Sequence, residues 1–167
     1  MSDRDSMQEP GVLETDEVLV RIMTPEDLDP VVRIDAAASG RRRPSYFGKL
    51  IEKSVQHADL SISLVAELDG QVVGFVVGTL YYGEFGVAEP SASIDVIGVD
   101  GRYRRQQIGR ALMRQLRINL AALRITSLRT EVSWDDFGLL AFFRSAGFRP
   151  SSRLCLEREL DPTAPVD

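Results

Sequence analysis

The spacing of apolar positions assigns most of the chain before any residue is asked for its chemistry. Val18 to Ile22 is a run of β-formers and predicts a first strand. Thr24-Pro25-Glu26-Asp27 then supplies a capping residue, a proline at the first helical position and an acid at the third, predicting a helix that carries Leu28, Val31 and Val32. Residues 36–44 break it, after which Tyr46, Phe47, Leu50, Ile51 and Val55 recur at helical spacing. Ser61 to Leu68 and Gln71 to Leu80 predict two strands joined by Asp69-Gly70, a pair suited to the positive φ of a type I′ hairpin turn. A loop from Tyr81 to Pro90 leads to a fourth strand, Ser91 to Val99. From Ile108, the apolar set Ile108, Ala111, Leu112, Leu116, Leu120 and Leu123 lines one side of a helix, with Arg110, Arg114 and Arg117 opposite. Ser127 to Trp134 predicts a fifth strand. Asp135 or Asp136 caps a helix bearing Leu139, Leu140 and Phe143, Gly147 ends it, and Ser152 to Leu160 alternates as a final strand.

This order predicts an α+β fold in which helices interrupt a mostly antiparallel sheet. The folding unit is expected at residues 18–160, with residues 1–17 and 161–167 as frayed ends poor in apolar period. With 44% hydrophobic and 27% charged residues over 167 positions, the balance is that of one globular domain. The net charge of -5 argues against a general nucleic-acid binder, which needs a basic surface. No apolar run is long enough for a signal peptide or a membrane span, so the cytoplasm is the default compartment. The single cysteine, Cys155, cannot form an internal disulfide and is expected as a buried strand thiol. His57 stands alone as a surface helix residue, and no cluster suggests a metal.

The chemistry concentrates between the fourth strand and the helix that follows it. Gln106-Gln107-Ile108-Gly109-Arg110-Ala111 places small residues where a helix begins, so a diphosphate can approach the uncovered N–H groups of the first turn. The positive end of the helix dipole faces the same anion, and Arg102, Arg104 and Arg105 add cationic reach. No Gly-Lys-Ser/Thr follows, which disfavours a nucleoside-triphosphate loop. A Rossmann turn would need Gly-x-Gly-x-x-Gly after an early strand.

Ile97-Gly98-Val99-Asp100 followed by Tyr103-Arg104-Arg105-Gln106-Gln107-Ile108-Gly109-Arg110-Ala111 resembles the coenzyme A signature of the GNAT superfamily of N-acetyltransferases. Thr130-Glu131-Val132 and Phe142-Phe143-Arg144-Ser145-Ala146-Gly147-Phe148 resemble that family's fifth strand and its helix ending in Gly-Phe. The resemblance spans roughly residues 18–160. It implies a six- to seven-stranded sheet with about four helices, strands four and five splayed apart, and an acetyl-coenzyme A donor with no metal. The implied reaction is direct transfer of an acetyl group to a primary amine of a small molecule or protein. Homodimers are common in the family, and nothing in the chain itself demonstrates one.

Carried over residue by residue, Ile97, Gly98 and Val99 match the strand that meets the pantetheine arm, Gly98 suiting a bulge. Arg105, Gln106, Gln107, Ile108, Gly109, Arg110 and Ala111 match the pyrophosphate loop. Asp136 stands where the family carries an asparagine near the start of the last helix. Two carboxylates are candidate bases. Glu131 lies where the ribosomal-protein alanine acetyltransferases carry theirs, and Asp95 lies where other members place an acid on strand four. Phe143 occupies the position of the usual general-acid tyrosine and has no proton to give. That departure leaves a non-catalytic acyl-coenzyme A sensor as the alternative. Arg41-Arg42-Arg43 and the stretch from Tyr81 fall where the family selects its acceptor, the arginines being expected as a solvated loop.

Overall fold

A computed structural model describes residues 18–57, 61–83, 88–160 and 163. The chain divides into two compact units that part between Glu131 and Val132.

The first unit is built on a five-stranded sheet in the order β1-β2-β3-β4-β5: Leu19–Ile22, Ser61–Leu68, Gln71–Tyr81, Ser91–Val99 and Ser127–Thr130. The first three pairings are antiparallel and the last, β4 with β5, is parallel. Asp69 and Gly70 turn the β2–β3 hairpin at φ 50° and 74°, as their sequence demands. The ladder slips between Ala66 and Glu67, leaving Val73 as an extra residue on β3. That slip inverts the alternation, so Val72 points to the same face as Phe75 and Val77.

Helices α1 (Leu28–Ser39) and α2 (Pro44–Gln56) cover that face. Val31, Val32, Ile34, Phe47 and Ile51 bury themselves against Val65, Phe75 and Val77. Fully burying a side chain of this size stabilises by about 1.5–3 kcal/mol, so these contacts outweigh any helix propensity in fixing α1 and α2. Gly40, at φ 72°, ends α1 with its N–H donating to the Ala36 carbonyl. Arg43 is not a solvated arginine: its Nε donates to buried Asp35 at 3.0 Å, and its guanidinium lies 4.9 Å over the Tyr46 ring. Helix α3 (Ile108–Ala122) packs on the opposite face, where Gly74 admits it. A Cβ at Gly74 would stand 2.8 Å from Ile108 Cγ2.

In the second unit, α4 (Phe137–Ser145) is capped by Asp136, whose Oδ1 accepts from Leu139 N at 2.9 Å. Ser133 donates to Asp135 just before it, and Gly147 follows the helix at φ 91°. The buried Phe143 ring meets Phe142 and Phe148 at centroid distances of 5.3 and 4.9 Å.

Two expectations need correction. The described residues form five strands rather than six or seven, because Ser152–Leu160 pairs with none of them and β5 ends at Thr130 rather than Trp134. Alternation makes a strand only where a second edge takes up its N–H and C=O groups. For the same reason Cys155 is exposed instead of being a buried strand thiol, as are Leu154 and Leu156.

Candidate active site

The parallel ladder between β4 and β5 is short. It runs from Ser91↔Ser127 to Ile94↔Thr130 and stops. Beyond that rung Val96–Val99 remains paired to β3 on one side, with no described strand on the other. The backbone groups on that open edge are available to a ligand. The next residues after the last rung are Asp95 on β4 and Glu131, just past the end of β5, so each candidate carboxylate follows directly on the Ile94↔Thr130 pair.

Asp95 reaches the site by a bulge. Val77 pairs with Val96 and Gly78 with Ile94, leaving Asp95 as the extra residue. A bulge bends the strand and re-aims the side chain. Asp95 Oδ2 accepts from Thr79 Oγ1 at 2.6 Å and Oδ1 accepts from Ser93 Oγ at 2.7 Å. Ser93 Oγ also lies 3.4 Å from the Tyr81 hydroxyl, and Arg129 of β5 stands 4.8 Å over the Tyr81 ring. Thr79 and Ser93 went unremarked in the sequence because only the pairing Thr79↔Ser93 places them beside Asp95. Glu131 is exposed and makes no hydrogen bond or ion pair among the described residues.

Gly98 is not the bulge. It pairs in register with Phe75, and a Cβ there would lie 2.7 Å from Phe75 Cε1 and 3.3 Å from Ile34 Cγ2. Its glycine lets β4 close on the aromatic core, with Ile97 and Val99 paired to Val76 and Gly74 on either side.

After β4 the chain is pinned before it turns. Asp100 N donates to the carbonyl of bulged Val73 at 2.8 Å, and the Asp100 carboxylate accepts from Arg102 N, Nε and Nη2. The Arg102 guanidinium is the main cause that holds the Asp100 pKa at about 2, below its ordinary 3.8. Arg102 is therefore committed to Asp100, leaving Arg104 and Arg105 as the exposed cations of the loop.

The turn into α3 uses left-handed backbone at two residues that are not glycine, Arg105 at φ 65° and Gln107 at φ 64°. Each costs about 1 kcal/mol, which neighbouring structure must offset. No side chain caps α3, and the first bond of the helix is Ala111 N to Gln107 O at 2.9 Å. The N–H groups of Ile108, Gly109 and Arg110 are thereby left at a positive helix end. Ile108 is buried and anchors the turn, while Arg110 is exposed with its Nη1 donating to Gln107 Oε1 at 3.2 Å. Strained loop, bare amides and arginines together give this turn the chemistry that suits an anion. Among the described residues there is no group of ligands for a metal, and no helix is long and apolar enough to cross a membrane.

A family model described as "Acetyltransferase (GNAT) family" matches residues 28–148, which takes in the open strand, the turn and the capped helix. Solved structures agree in fold. An aminoglycoside acetyltransferase from an uncultured soil metagenomic sample, in complex with sisomicin, superposes with a TM-score of 0.70 at 17% identity, covering 87% of this chain and 98% of that one. A ribosomal-protein-alanine N-acetyltransferase from Brucella melitensis biovar Abortus 2308 gives 0.70 at 16% identity, covering 85% and 99%. Ard1 from Thermoplasma volcanium gives 0.68 at 26% identity, covering 81% and 85%.

Proposed function

Because the chain belongs to the GNAT family of acetyltransferases, we propose that it carries an acetyl group from acetyl-coenzyme A to a primary amine of a small molecule or protein, by direct attack while both are bound. The observation that carries this reading is the continuity of two binding edges in one strand–turn–helix. Asp95–Val99 offers unpaired backbone, and a few residues later α3 opens with uncapped N–H groups.

The residues fit the donor. Arg105, Gln106, Gln107, Ile108, Gly109, Arg110 and Ala111 form the diphosphate cradle, and Ile97, Gly98 and Val99 give backbone to the amide-bearing arm. Asp136 is the remaining donor-side residue that the family pattern assigns. Bound there, acetyl-coenzyme A supplies an acyl thioester whose sulfur departs. The chain's own work is to hold the acceptor amine and to remove its proton. Glu131 or Asp95 takes that proton, freeing the nitrogen lone pair. Phe143, at the position of the family's usual tyrosine acid, has no O–H to give; a thiol of pKa about 8.5 leaves tolerably as thiolate. The same residue is what favours the second reading, an acyl-coenzyme A sensor that binds without turning over.

Thiol release from acetyl-coenzyme A distinguishes the two. Sisomicin and a peptide with a free N-terminal alanine stand for the acceptor types of two structural relatives. Acceptor-dependent release that is lost in Glu131→Gln or Asp95→Asn supports the enzyme. Tight coenzyme A binding with no release across a broad amine panel supports the sensor.

A further inference from the structure

Resting on the acetyltransfer reading, we propose a division of labour between the two carboxylates: Asp95 anchors the acceptor's ammonium group, held in place by Thr79 and Ser93 as positioning residues, and Glu131 takes the proton. Thr79 and Tyr81 on β3 and Ser93 and Asp95 on β4 share one face of the sheet, where the apolar row of Phe75 and Val77 gives way to hydroxyl groups. The bulge at Asp95 brings its carboxylate between the Thr79 and Ser93 hydroxyls, so that each oxygen accepts one hydrogen bond.

A carboxylate held at both oxygens cannot swing, yet each oxygen keeps a lone pair for an incoming N–H. That suits an anchor. A proton taken up on one of those lone pairs would remove the negative charge to which both hydroxyls donate. Glu131 has no such partners among the described residues and stands one residue past the last β4–β5 rung. An ammonium bound at Asp95 therefore presents its remaining N–H groups toward Glu131 and the open edge of β4.

Steady-state kinetics and calorimetry on the full chain test this, with sisomicin and an N-terminal alanine peptide as probes. Thr79→Val and Ser93→Ala are expected to raise the KM of the accepted amine about tenfold, the effect of one lost hydrogen bond, leaving kcat and the acetyl-coenzyme A KM within about twofold. Thr79→Ser, which keeps the donor, restores the wild-type value. Glu131→Gln is expected to lower kcat about a hundredfold or more while sparing the acceptor KM. Unchanged acceptor KM in Thr79→Val and Ser93→Ala overturns the proposal, as does a larger kcat loss in Asp95→Asn than in Glu131→Gln. If the wild type releases no thiol with any amine, the enzyme reading fails by itself. The anchor is then read from calorimetry of the two amines on coenzyme A-loaded protein, where weaker binding in Thr79→Val sustains it and equal or absent binding overturns it.

Discussion

Thr130 Oγ1 donates to the Ile94 carbonyl oxygen at 3.0 Å, on the last rung that β4 and β5 share. One step further along each strand stand Asp95 and Glu131. A side-chain clasp thus closes the ladder at its last rung. Thr130→Val keeps the shape and removes the donor. It is expected to cost about 1 kcal/mol, read from the urea midpoint, and to lower kcat/KM without moving the coenzyme A affinity.

Gly98 closes β4 on Phe75. Gly98→Ala forces a methyl to within 2.7 Å of a fully buried ring, and overpacking of that kind typically costs about 1–3 kcal/mol. Thermal unfolding should register the loss. A bulge at Gly98 would instead have tolerated alanine with little change.

Gln107 holds a positive φ immediately before α3. Gln107→Gly, which adopts that backbone freely, is expected to leave stability within about 1 kcal/mol of wild type. Gln107→Val, a β-branched residue to which the left-handed region is closed, should destabilise by about 2 kcal/mol and weaken coenzyme A binding in parallel. Denaturant titration and calorimetry on the same pair of variants check both halves.

The acid limb of stability carries a signature of Asp100. Its folded pKa of about 2 lies below the ordinary 3.8, so the folded state binds fewer protons than the unfolded chain between those values. The contribution is complete above pH 4 and is lost as pH falls through 4 toward 2. Asp100→Asn should flatten the unfolding free energy over that window and leave its slope above pH 5 unchanged. Urea midpoints measured across the range decide it.

The strands bounding the site and the helix after the turn were legible because each rests on local signals. β2 and β4 begin and end where their β-formers do, and α3 starts at Ile108, where the apolar period starts. The spacing from Gln106 to Ala111 was legible because a small residue at a helix start has a backbone consequence. What remained hidden depends on register. Asp95 is a bulge residue only because Val96 and Ile94 find Val77 and Gly78, and Thr79 becomes its partner only through that slip. Gly98 read as a bulge because a glycine in a strand has two explanations, and only the position of Phe75 chooses between them. Ser152–Leu160 shows the reverse error, an alternating pattern with no described edge to pair with.

The central claim is that a diphosphate sits on the bare start of α3 beside the open edge of β4, and titrating coenzyme A into isotope-labelled protein tests it most directly. The amide resonances of Ile108, Gly109 and Arg110 are expected to move first and furthest, with Ile97 to Val99 following, and Arg105→Glu is expected to weaken every shift together. Saturable binding that leaves Gly109 unmoved, or no binding at all, would contradict it.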